Sequence, residues 1–333
     1  MTLNHPYRSL HVPKDAPFEL RPSSGKGWGA FATRRIGRGD LILKEKPLFV
    51  VQKAHTEITE GDVLVAFQQL EPTRKKQFLC LRDNSSRYFK SMNEAFAENS
   101  FQAGIPDVTG SQSNKPPAHG LYLLLSRFNH SCIPNSKIPT TNENAIACFA
   151  TKDIAAGEEI TFCYNTDFEC RTRHERHEAL RFVCHCRTCS SSSRFTSDLR
   201  RRFIRGLQYL THGVDIDGQR QRSGASVIAN HELKEAAENG SIPLSSRLIY
   251  NVLVMVLIEK EGLLDDFMLE RMRPSVFGMA AFFTTRSNIR IVRLMLEQGS
   301  WSDKLFMAFN LYGRKDASDH DFAGRIRALR GLP

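Results

Sequence analysis

Cys184, Cys186 and Cys189 lie within six residues of one another in a chain of 333 residues. Immediate neighbours at this spacing do not reach disulfide geometry easily, whereas thiolate sulfur is a preferred zinc ligand. A tetrahedral structural zinc site needs four ligands, so one ligand must come from elsewhere. Cys132 is the favoured candidate, and His185 is an alternative that would strain the geometry because it lies between two ligands. A loop of free thiols is the other interpretation of the same cluster.

The segment 127–135, which reads Arg-Phe-Asn-His-Ser-Cys-Ile-Pro-Asn, carries the second set of chemical groups. Asn129 and His130 offer amide and imidazole hydrogen bonds, and the Pro-Asn pair that ends the segment favours a turn. Such a segment suits the binding of a polar ligand better than the packing of a core. Tyr164 is the one titratable phenol near these motifs. A single buried tyrosine is usually a core aromatic, but in this company we predict a functional hydroxyl.

Two similar segments must position these groups. Residues 31–42 and 149–160 share a pattern of a short strand, a turn containing glycine and a second strand. We predict two hairpins of like design whose ends pair in space, within a compact β-rich unit. A chance match of common turn chemistry is the alternative.

The sequence between the two segments has the patterns of helices. Residues 59–62 fit a capping box, Pro72 is acceptable in a first helical turn, and a third helix is predicted over about 88–98. Residues 105–120 are rich in Pro, Gly, Ser and Asn, which predicts a loop.

After the cysteine cluster, apolar residues also recur with the period of a helix. The serine run 190–193 predicts a flexible boundary between domains. Beyond it, Leu199, Phe203, Leu207 and Leu210 line one face of a helix, and a further helix is predicted from residues 241–243 to Gly262.

Composition narrows the class of protein. Hydrophobic content of 41% and charged content of 25% are ordinary for a soluble globular protein. The longest apolar-rich run, residues 248–258, is far shorter than a membrane span, and the N-terminal residues do not resemble a secretory signal. Eight cysteines in such a chain indicate thiols and metal ligands in an intracellular, nuclear or cytoplasmic setting. A net charge of +10 is compatible with three alternatives: binding to an acidic partner, binding to nucleic acid, or a basic surface that is only solvated.

Four motifs in one order resemble the SET-domain protein lysine methyltransferases. They are residues 26–30, 127–135, 157–164 and the Cys-x-Cys-x-x-Cys cluster, and the resemblance spans about residues 18–189. The helical insert and helical tail are similar to the branch that also carries a MYND zinc finger. That finger is missing, since Cys80 is the only cysteine between residues 49 and 88, so the fungal relatives without it match better.

The resemblance implies an α+β chain: a β-rich SET fold with a helical insert, a zinc-bound post-SET flap and an all-helical C-terminal region. The implied organisation is an N-terminal extension over 1–17, a SET domain over 18–165 with its insert at about 56–120, a post-SET region over 166–190 and a helical domain over 191–333.

The resemblance also implies S-adenosylmethionine as cofactor and Tyr164 as the catalytic phenol. A turn at residues 27–29 would let the backbone approach the cofactor closely. Leu180 departs from the family, where tyrosine often lines the lysine channel, so the resemblance leaves the polarity of that channel open. The residues implied to bind the cofactor are Lys26, Gly27, Trp28, Asn99, Asn129, His130, Tyr164 and Phe182.

The predicted activity is therefore methyl transfer to a lysine side chain of a histone or another protein, by a chain that we expect to be monomeric. Four carboxylates, on Glu158, Glu159, Asp167 and Glu169, are candidates for an acidic groove that attracts a basic substrate, or they are solvated loop charges. The alternative function is a SET-type scaffold with little turnover that binds partners through its helical tail. A nucleic-acid-associated factor is a third candidate, resting on net charge alone.

Overall fold

The computed structural model describes residues 5–103, 117–139, 145–221, 227–272, 276, 278–279 and 300–309. Contacts within the chain define two compact units, Met1–Cys163 and Tyr164–Pro333. Within the described residues, all the strands belong to the first unit, and the second unit is helical. The predicted α+β class with a helical C-terminal region is confirmed.

The strands of the first unit form three small sheets among the described residues. Their orders are β1-β2-β10-β7, β3-β9-β8 and β4-β6-β5, with labels that follow the chain. The strands are β1 (Phe18–Ser23), β2 (Gly27–Ala32), β3 (Leu41–Glu45), β4 (Val50–Val51), β5 (Ser100–Ala103), β6 (Ala118–Leu121), β7 (Asn129–His130), β8 (Ser136–Lys137), β9 (Ile146–Ala150) and β10 (Glu159–Phe162).

The two similar segments pair with each other and not within themselves. Strand β2 of the first segment pairs with β10 of the second, and β3 pairs with β9, both antiparallel. Between these strands, the backbones of Ile36 and Ile154 exchange hydrogen bonds of 3.0 and 2.9 Å. The prediction that the segments pair in space is confirmed, whereas the prediction of two separate hairpins is wrong. The reason is that the backbone N–H and C=O groups in the turn of each segment bond the turn of the other segment. Both isoleucines are buried at this contact.

The helical insert lies between β4 and β5. Its helices are α1 (Glu60–Gln68), α2 (Pro72–Leu79) and α3 (Met92–Asn99). The predicted capping box is confirmed, since Thr59 and Asp62 bond each other's backbone N–H, and the predicted start at Pro72 is confirmed too. Helix α3 begins four residues later than predicted because the Ser91 hydroxyl caps it.

The prediction of a loop over 105–120 can be compared with the structure at residues 117–120. Residues 104–116 lie outside the described residues, and residues 118–120 belong to β6, so the loop prediction is wrong for them. Strand β6 forms because it lies between β4 and β5 and pairs with the backbone hydrogen-bonding groups of both strands.

The second unit contains α4 (Arg173–Leu180), α5 (Arg187–Ser190), α6 (Arg194–His212), α7 (His231–Glu238), α8 (Leu244–Lys260) and a helix at Trp301–Phe309. Helix α6 is confirmed, but its buried face carries Arg201, whose Nε lies 3.0 Å from a carboxylate oxygen of Glu261. Because this ion pair occupies the interior, two members of the predicted apolar face, Leu199 and Phe203, are exposed. Within the described residues, every helix is too short or too polar to serve as a membrane span.

Candidate functional site

Glu159 is the central side chain of the site in the first unit. It begins β10, which lies between β2 and the parallel strand β7. Its carboxylate accepts hydrogen bonds of 2.7 Å from Lys26 Nζ, Ser23 Oγ and Asn129 Nδ2. Only 18% of the Glu159 side chain is exposed. One carboxylate therefore holds side chains from the β1–β2 turn, from β1 and from β7 in a fixed arrangement.

The electrostatics of Glu159 follow from these bonds. Burial by itself would raise the pKa of this carboxyl group, but hydrogen bonds from Lys26, Ser23 and Asn129 outweigh burial and hold the pKa below its ordinary value. The carboxylate is therefore charged at neutral pH, and it keeps the Lys26 ammonium close to the Asn129 amide.

Gly27 and Gly29 lie in strand β2, so the prediction of a turn at residues 27–29 is wrong. The turn covers residues 24–26 instead. A side chain at Gly27 would need φ near +76° and would approach the Asn84 backbone to 3.0 Å. A Cβ at Gly29 would lie 2.6 Å from the Glu159 carboxylate. Both glycines are thus required by neighbouring protein atoms in this structure.

Arg127 is the second organising residue of the first unit. Its guanidinium donates to Asn99 Oδ1 and to the Tyr7 hydroxyl. Asn99 is almost fully buried, and its Nδ2 donates to the Ala95 carbonyl oxygen at 2.7 Å. The Tyr7 hydroxyl also bonds the backbone N–H and C=O of Arg82, at 2.7 and 2.8 Å. This network fixes Asn99, a predicted cofactor residue, through a tyrosine that comes from the N-terminal extension.

His5 covers the indole of Trp28 in the same region. The two rings stack with centroids 4.5 Å apart, and His5 Nε2 lies 3.2 Å from Ser86 Oγ. Burial, followed by the positive charges of Arg82, Arg127 and Arg8, lowers the pKa of His5 below its ordinary value. The extension therefore presents a neutral ring to Trp28, which the sequence resemblance places beside the cofactor.

Glu45 anchors the chain that leads into residues 127–135. Its carboxylate accepts the backbone N–H groups of Leu123, Leu124 and Leu125 at 2.8 to 3.0 Å. Burial raises the pKa of Glu45, against the opposing effect of these bonds. Sequence reasoning missed this residue, because nothing in its local pattern reveals that its carboxylate accepts from three backbone N–H donors about eighty residues away.

The segment 127–135 is tied to β10 by its last residue. Asn135 Oδ1 accepts from the Thr161 N–H at 2.8 Å, and its Nδ2 donates to Glu158 Oε1 and to the Glu159 carbonyl oxygen at 2.9 Å. In the middle of the segment, His130 and Cys132 are buried with His130 Nε2 3.3 Å from Cys132 Sγ.

The four carboxylates considered for an acidic groove all have protein partners. Glu159 bonds Lys26 and Glu158 bonds Asn135, as described above. Asp167 pairs with Arg171 at 2.6 Å, and Glu169 with Arg271 at 3.6 Å. The charges of Glu159, Asp167 and Glu169 are therefore compensated within their own units, whereas Glu158 is exposed and bonds a neutral amide.

Tyr164 and Phe182 meet in the second unit. Their ring centroids lie 6.5 Å apart in an edge-to-face arrangement, and 44% and 42% of these residues remain exposed. Two predicted site residues separated by eighteen positions in the sequence are thus neighbours, with the surface of both rings still accessible to a ligand.

The cysteine cluster of the second unit has the donor set of a zinc site. The Sγ atoms of Cys184, Cys186 and Cys189 lie within 4.8 Å of one another. Cys184 Sγ accepts the Cys186 N–H at 3.4 Å, and the Arg176 guanidinium lies 3.5 Å from Cys189 Sγ. Such donors stabilise thiolates, which are the form that binds metal. These residues fit a structural zinc ion, and His185, the alternative ligand, is not part of the group.

Comparison with known proteins agrees with this geometry. The family model described as "SET domain" matches residues 27–165. This part of the chain is a SET domain. The resemblance drawn from the four motifs is confirmed, and Glu159, Asn129 and Arg127 all lie within the matched SET domain.

Relatives of the SET-domain chain carry methyltransferase names. A Gibberella zeae protein named "Methyltransferase" is 25% identical over 52% of the chain and 31% of that protein. The "Protein-lysine N-trimethyltransferase SMYD5" of Danio rerio is 41% identical over 22% of the chain and 19% of that protein. The "Histone-lysine N-methyltransferase set5" of Schizosaccharomyces pombe is 28% identical over 56% of the chain and 55% of that protein. The chain thus spans between a fifth and about half of the length of these relatives.

Among solved structures, the Neurospora SET domain protein DIM-5, titled a histone lysine methyltransferase, is 20% identical with a TM-score of 0.27. The match covers 46% of this chain and 53% of that one. At this similarity the SET-domain chain and DIM-5 support no residue-by-residue comparison.

Within the SET-domain chain, the structure gathers the predicted site residues into groups. Lys26 and Asn129 share the Glu159 carboxylate, and Trp28 contributes its carbonyl oxygen to Asn129 Nδ2 at 3.2 Å. The residues that sequence reasoning missed are those that hold the others: Glu45, Arg127 and Tyr7. Their partners are distant in sequence, and only the tertiary fold brings them together. The individual cofactor and metal roles stay predictions.

Proposed function

We propose that this SET-domain chain is an S-adenosylmethionine-dependent protein-lysine N-methyltransferase. The observation that carries the proposal is the Glu159 network, which holds Lys26 and Asn129 side by side. A scaffold that only binds proteins has no need for an ammonium and an amide fixed by a partly buried carboxylate in this way. The names of the relatives support a protein lysine as the acceptor.

The residues of the chain fit the chemical groups of the cofactor. Lys26 offers a positive charge for a carboxylate, and Asn129 and His130 offer polar atoms for an amino acid moiety. Trp28 and Phe182 offer aromatic surface for an adenine ring. When bound, S-adenosylmethionine supplies a methyl group made electrophilic by its sulfonium.

Alignment is the main contribution of the protein to this reaction. In the transfer, a carbon–nitrogen bond forms as the carbon–sulfur bond breaks, the bonding electrons remain on sulfur, and the amine proton passes to water. Tyr164 would hold the amine in line through its hydroxyl group, and backbone carbonyls of residues 127–129 would contact the polarised methyl group. A free lysine has a pKa of about 10.4, and apolar surroundings lower it by disfavouring the charged form.

The first test replaces the phenol. Tyr164→Phe removes one hydroxyl and keeps the ring, so we expect methyl transfer to fall at least about a hundredfold while the cofactor Kd changes less than about twofold. Transfer from labelled S-adenosylmethionine to core histones and to a lysine peptide array is measured, with mass spectrometry of the products. Tyr88→Phe is the matched control, since Tyr88 is 74% exposed.

The outcomes separate the candidate functions. Unaltered turnover in Tyr164→Phe would remove Tyr164 from its role while leaving the activity. Binding of S-adenosylmethionine by the wild-type chain without any transfer would favour the scaffold function. Absence of binding would count against both.

We further propose that Cys132 supplies the fourth ligand of a single structural zinc ion held by Cys184, Cys186 and Cys189. Tetrahedral zinc requires a fourth donor beyond the three thiols of the second unit. Cys132 is a thiol that is 1% exposed and belongs to the same segment as Asn129 and His130. Because the proposed zinc site requires cysteines in the reduced, thiolate form, we also propose an intracellular, reducing setting for the chain.

A further inference from the structure

The outward face of helix α6 carries an exposed apolar stripe. Phe195, Leu199 and Phe203 are 81%, 48% and 56% exposed. Their spacing of four residues places them in one row along the helix, with a length of about 12 Å from first to last. The opposite face of α6 already packs into the second unit through Arg201 and Ile204, which are fully buried. The stripe is therefore not the core-facing side of this helix.

Positive charge borders the stripe. Arg194 and Arg202 are exposed, and neither is in an ion pair with another described residue. Other arginines of the same helix are neutralised, since Arg200 pairs with Glu261 at 2.5 Å and Arg205 with Asp215 at 2.5 Å. Two charges without an ion-pair partner among the described residues thus lie beside the first and the last residue of the stripe.

A cavity of about 240 Å³ opens at the first residue of the stripe. Asp198, the one acid of its lining, accepts the Arg173 backbone N–H at 2.6 Å and lies 3.7 Å from the Arg176 guanidinium. The Arg173 Nε is buried and has no hydrogen-bond partner among the described residues. Four of the six lining residues are arginine or histidine, so the cavity suits a carboxylate. The lining residues are Arg173, His174, His177, Arg194, Phe195 and Asp198.

We propose that this face binds an acidic amphipathic helix of a partner protein. Apolar side chains at every third or fourth position of the partner pack on Phe195, Leu199 and Phe203, and carboxylates face the flanking arginines and the cavity. A second copy of the chain is disfavoured as the occupant, because it would bring Arg194 and Arg202 against their own charges. A partner of acidic character is the complement of this surface.

The experiment uses the full chain and two synthetic peptides labelled with a fluorophore. Both peptides have leucine at positions i, i+4, i+7 and i+11 of an alanine-based helix; one has glutamate on its flanks and the other has lysine. We expect the glutamate peptide to bind with a Kd in the micromolar range, by fluorescence anisotropy, and the lysine peptide to bind at least about tenfold more weakly.

Two variants and a control locate the binding. Replacing Phe195 and Phe203 together by serine should weaken binding of the glutamate peptide at least about tenfold. Replacing Arg194 and Arg202 together by glutamate should reverse the preference toward the lysine peptide. Val65→Ser is the control, because Val65 is 56% exposed on a helix of the first unit. All five positions are exposed, and circular dichroism verifies that each variant is folded.

Several results would overturn the proposal. Equal binding of the two peptides, binding of neither, or unchanged binding by the Phe195 and Phe203 variant would each do so. Self-association in sedimentation that the same variant abolishes would identify a second copy as the occupant. Binding to vesicles of phosphatidylcholine and phosphatidylserine, without binding to the glutamate peptide, would identify a membrane surface instead.

Discussion

At the residue scale, the role of Glu159 in the structure differs from the one that its sequence context indicates. In the sequence it is one of four acidic residues that suit either a groove or a solvated loop. In the structure it bonds Lys26, Ser23 and Asn129, and the side chain at position 29 must be absent to make room for it. The type of residue could be read from the sequence, but its partners could not, because they come from other strands.

Glu159→Gln tests this network. The substitution keeps the shape of the side chain and removes its charge, so Lys26 loses its counter-ion. We expect S-adenosylmethionine to bind about tenfold more weakly and the free energy of unfolding at neutral pH to fall by about 1 kcal/mol. Calorimetric titration and urea unfolding measure the two effects. Glu19→Gln, at a side chain that is 58% exposed, is the control, and equal behaviour of the two variants would contradict the assignment.

The same network predicts a pH dependence. The pKa of Glu159 is lower in the folded chain than its ordinary value of 4.5, so its charged form stabilises the fold above that value. This contribution is lost as the pH falls from about 4.5 through the lower folded pKa. Glu159→Gln should therefore lose less stability than the wild type between neutral pH and that acidic window.

At the scale of elements, local chemistry made the helices of the insert predictable. Thr59 with Asp62 and Pro72 mark helix starts by contacts within one turn. The short 3-10 turn Pro6–Ser9 was not predictable as part of the site, because Tyr7 bonds Arg82 and Arg127 far along the chain. Its sequence contains no pattern that indicates these partners.

Tyr7→Phe tests this turn. Loss of the hydroxyl leaves the Arg82 N–H without its acceptor and releases one arm of Arg127, which holds Asn99. We expect a cost of about 1–2 kcal/mol in unfolding free energy, faster hydrogen exchange at Arg82 and Arg127, and weaker cofactor binding. Ser9→Ala in the same turn is the control, since the one bond of the Ser9 hydroxyl within the described part of the chain is to the nearby Pro6 carbonyl oxygen. Unchanged exchange at both arginines would show that the turn does not hold the site.

At the scale of the whole molecule, the sequence revealed the cysteine cluster and the SET domain because both depend on residue types at fixed spacing. It did not reveal that the contacts of the chain divide at Cys163 and Tyr164, because a division of contacts depends on packing. The proposed zinc ion draws its ligands from both sides of that position. Its removal should therefore affect cofactor binding as well as stability.

Removal of the metal tests this coupling. Metal analysis should find one zinc per chain, and Cys132→Ser should lower both zinc content and affinity for S-adenosylmethionine. Cys80→Ser is the control, because Cys80 is a half-buried thiol outside the cluster. A full zinc complement in Cys132→Ser would exclude Cys132 as a ligand. Normal cofactor affinity after chelation would exclude the coupling.

The pairing of the two similar segments also constrains how the first unit folds. Strands β2 and β3 find their partners β10 and β9 only after more than a hundred further residues have been added. Until then the edges of these strands can pair with wrong partners. The entropy cost of closing so long a loop must be met before contacts between the strands contribute favourable free energy. A chain growing on the ribosome therefore carries an unfinished sheet for most of the synthesis of this unit. The helical insert, which is rich in local contacts, can form first and shorten the effective distance between the segments.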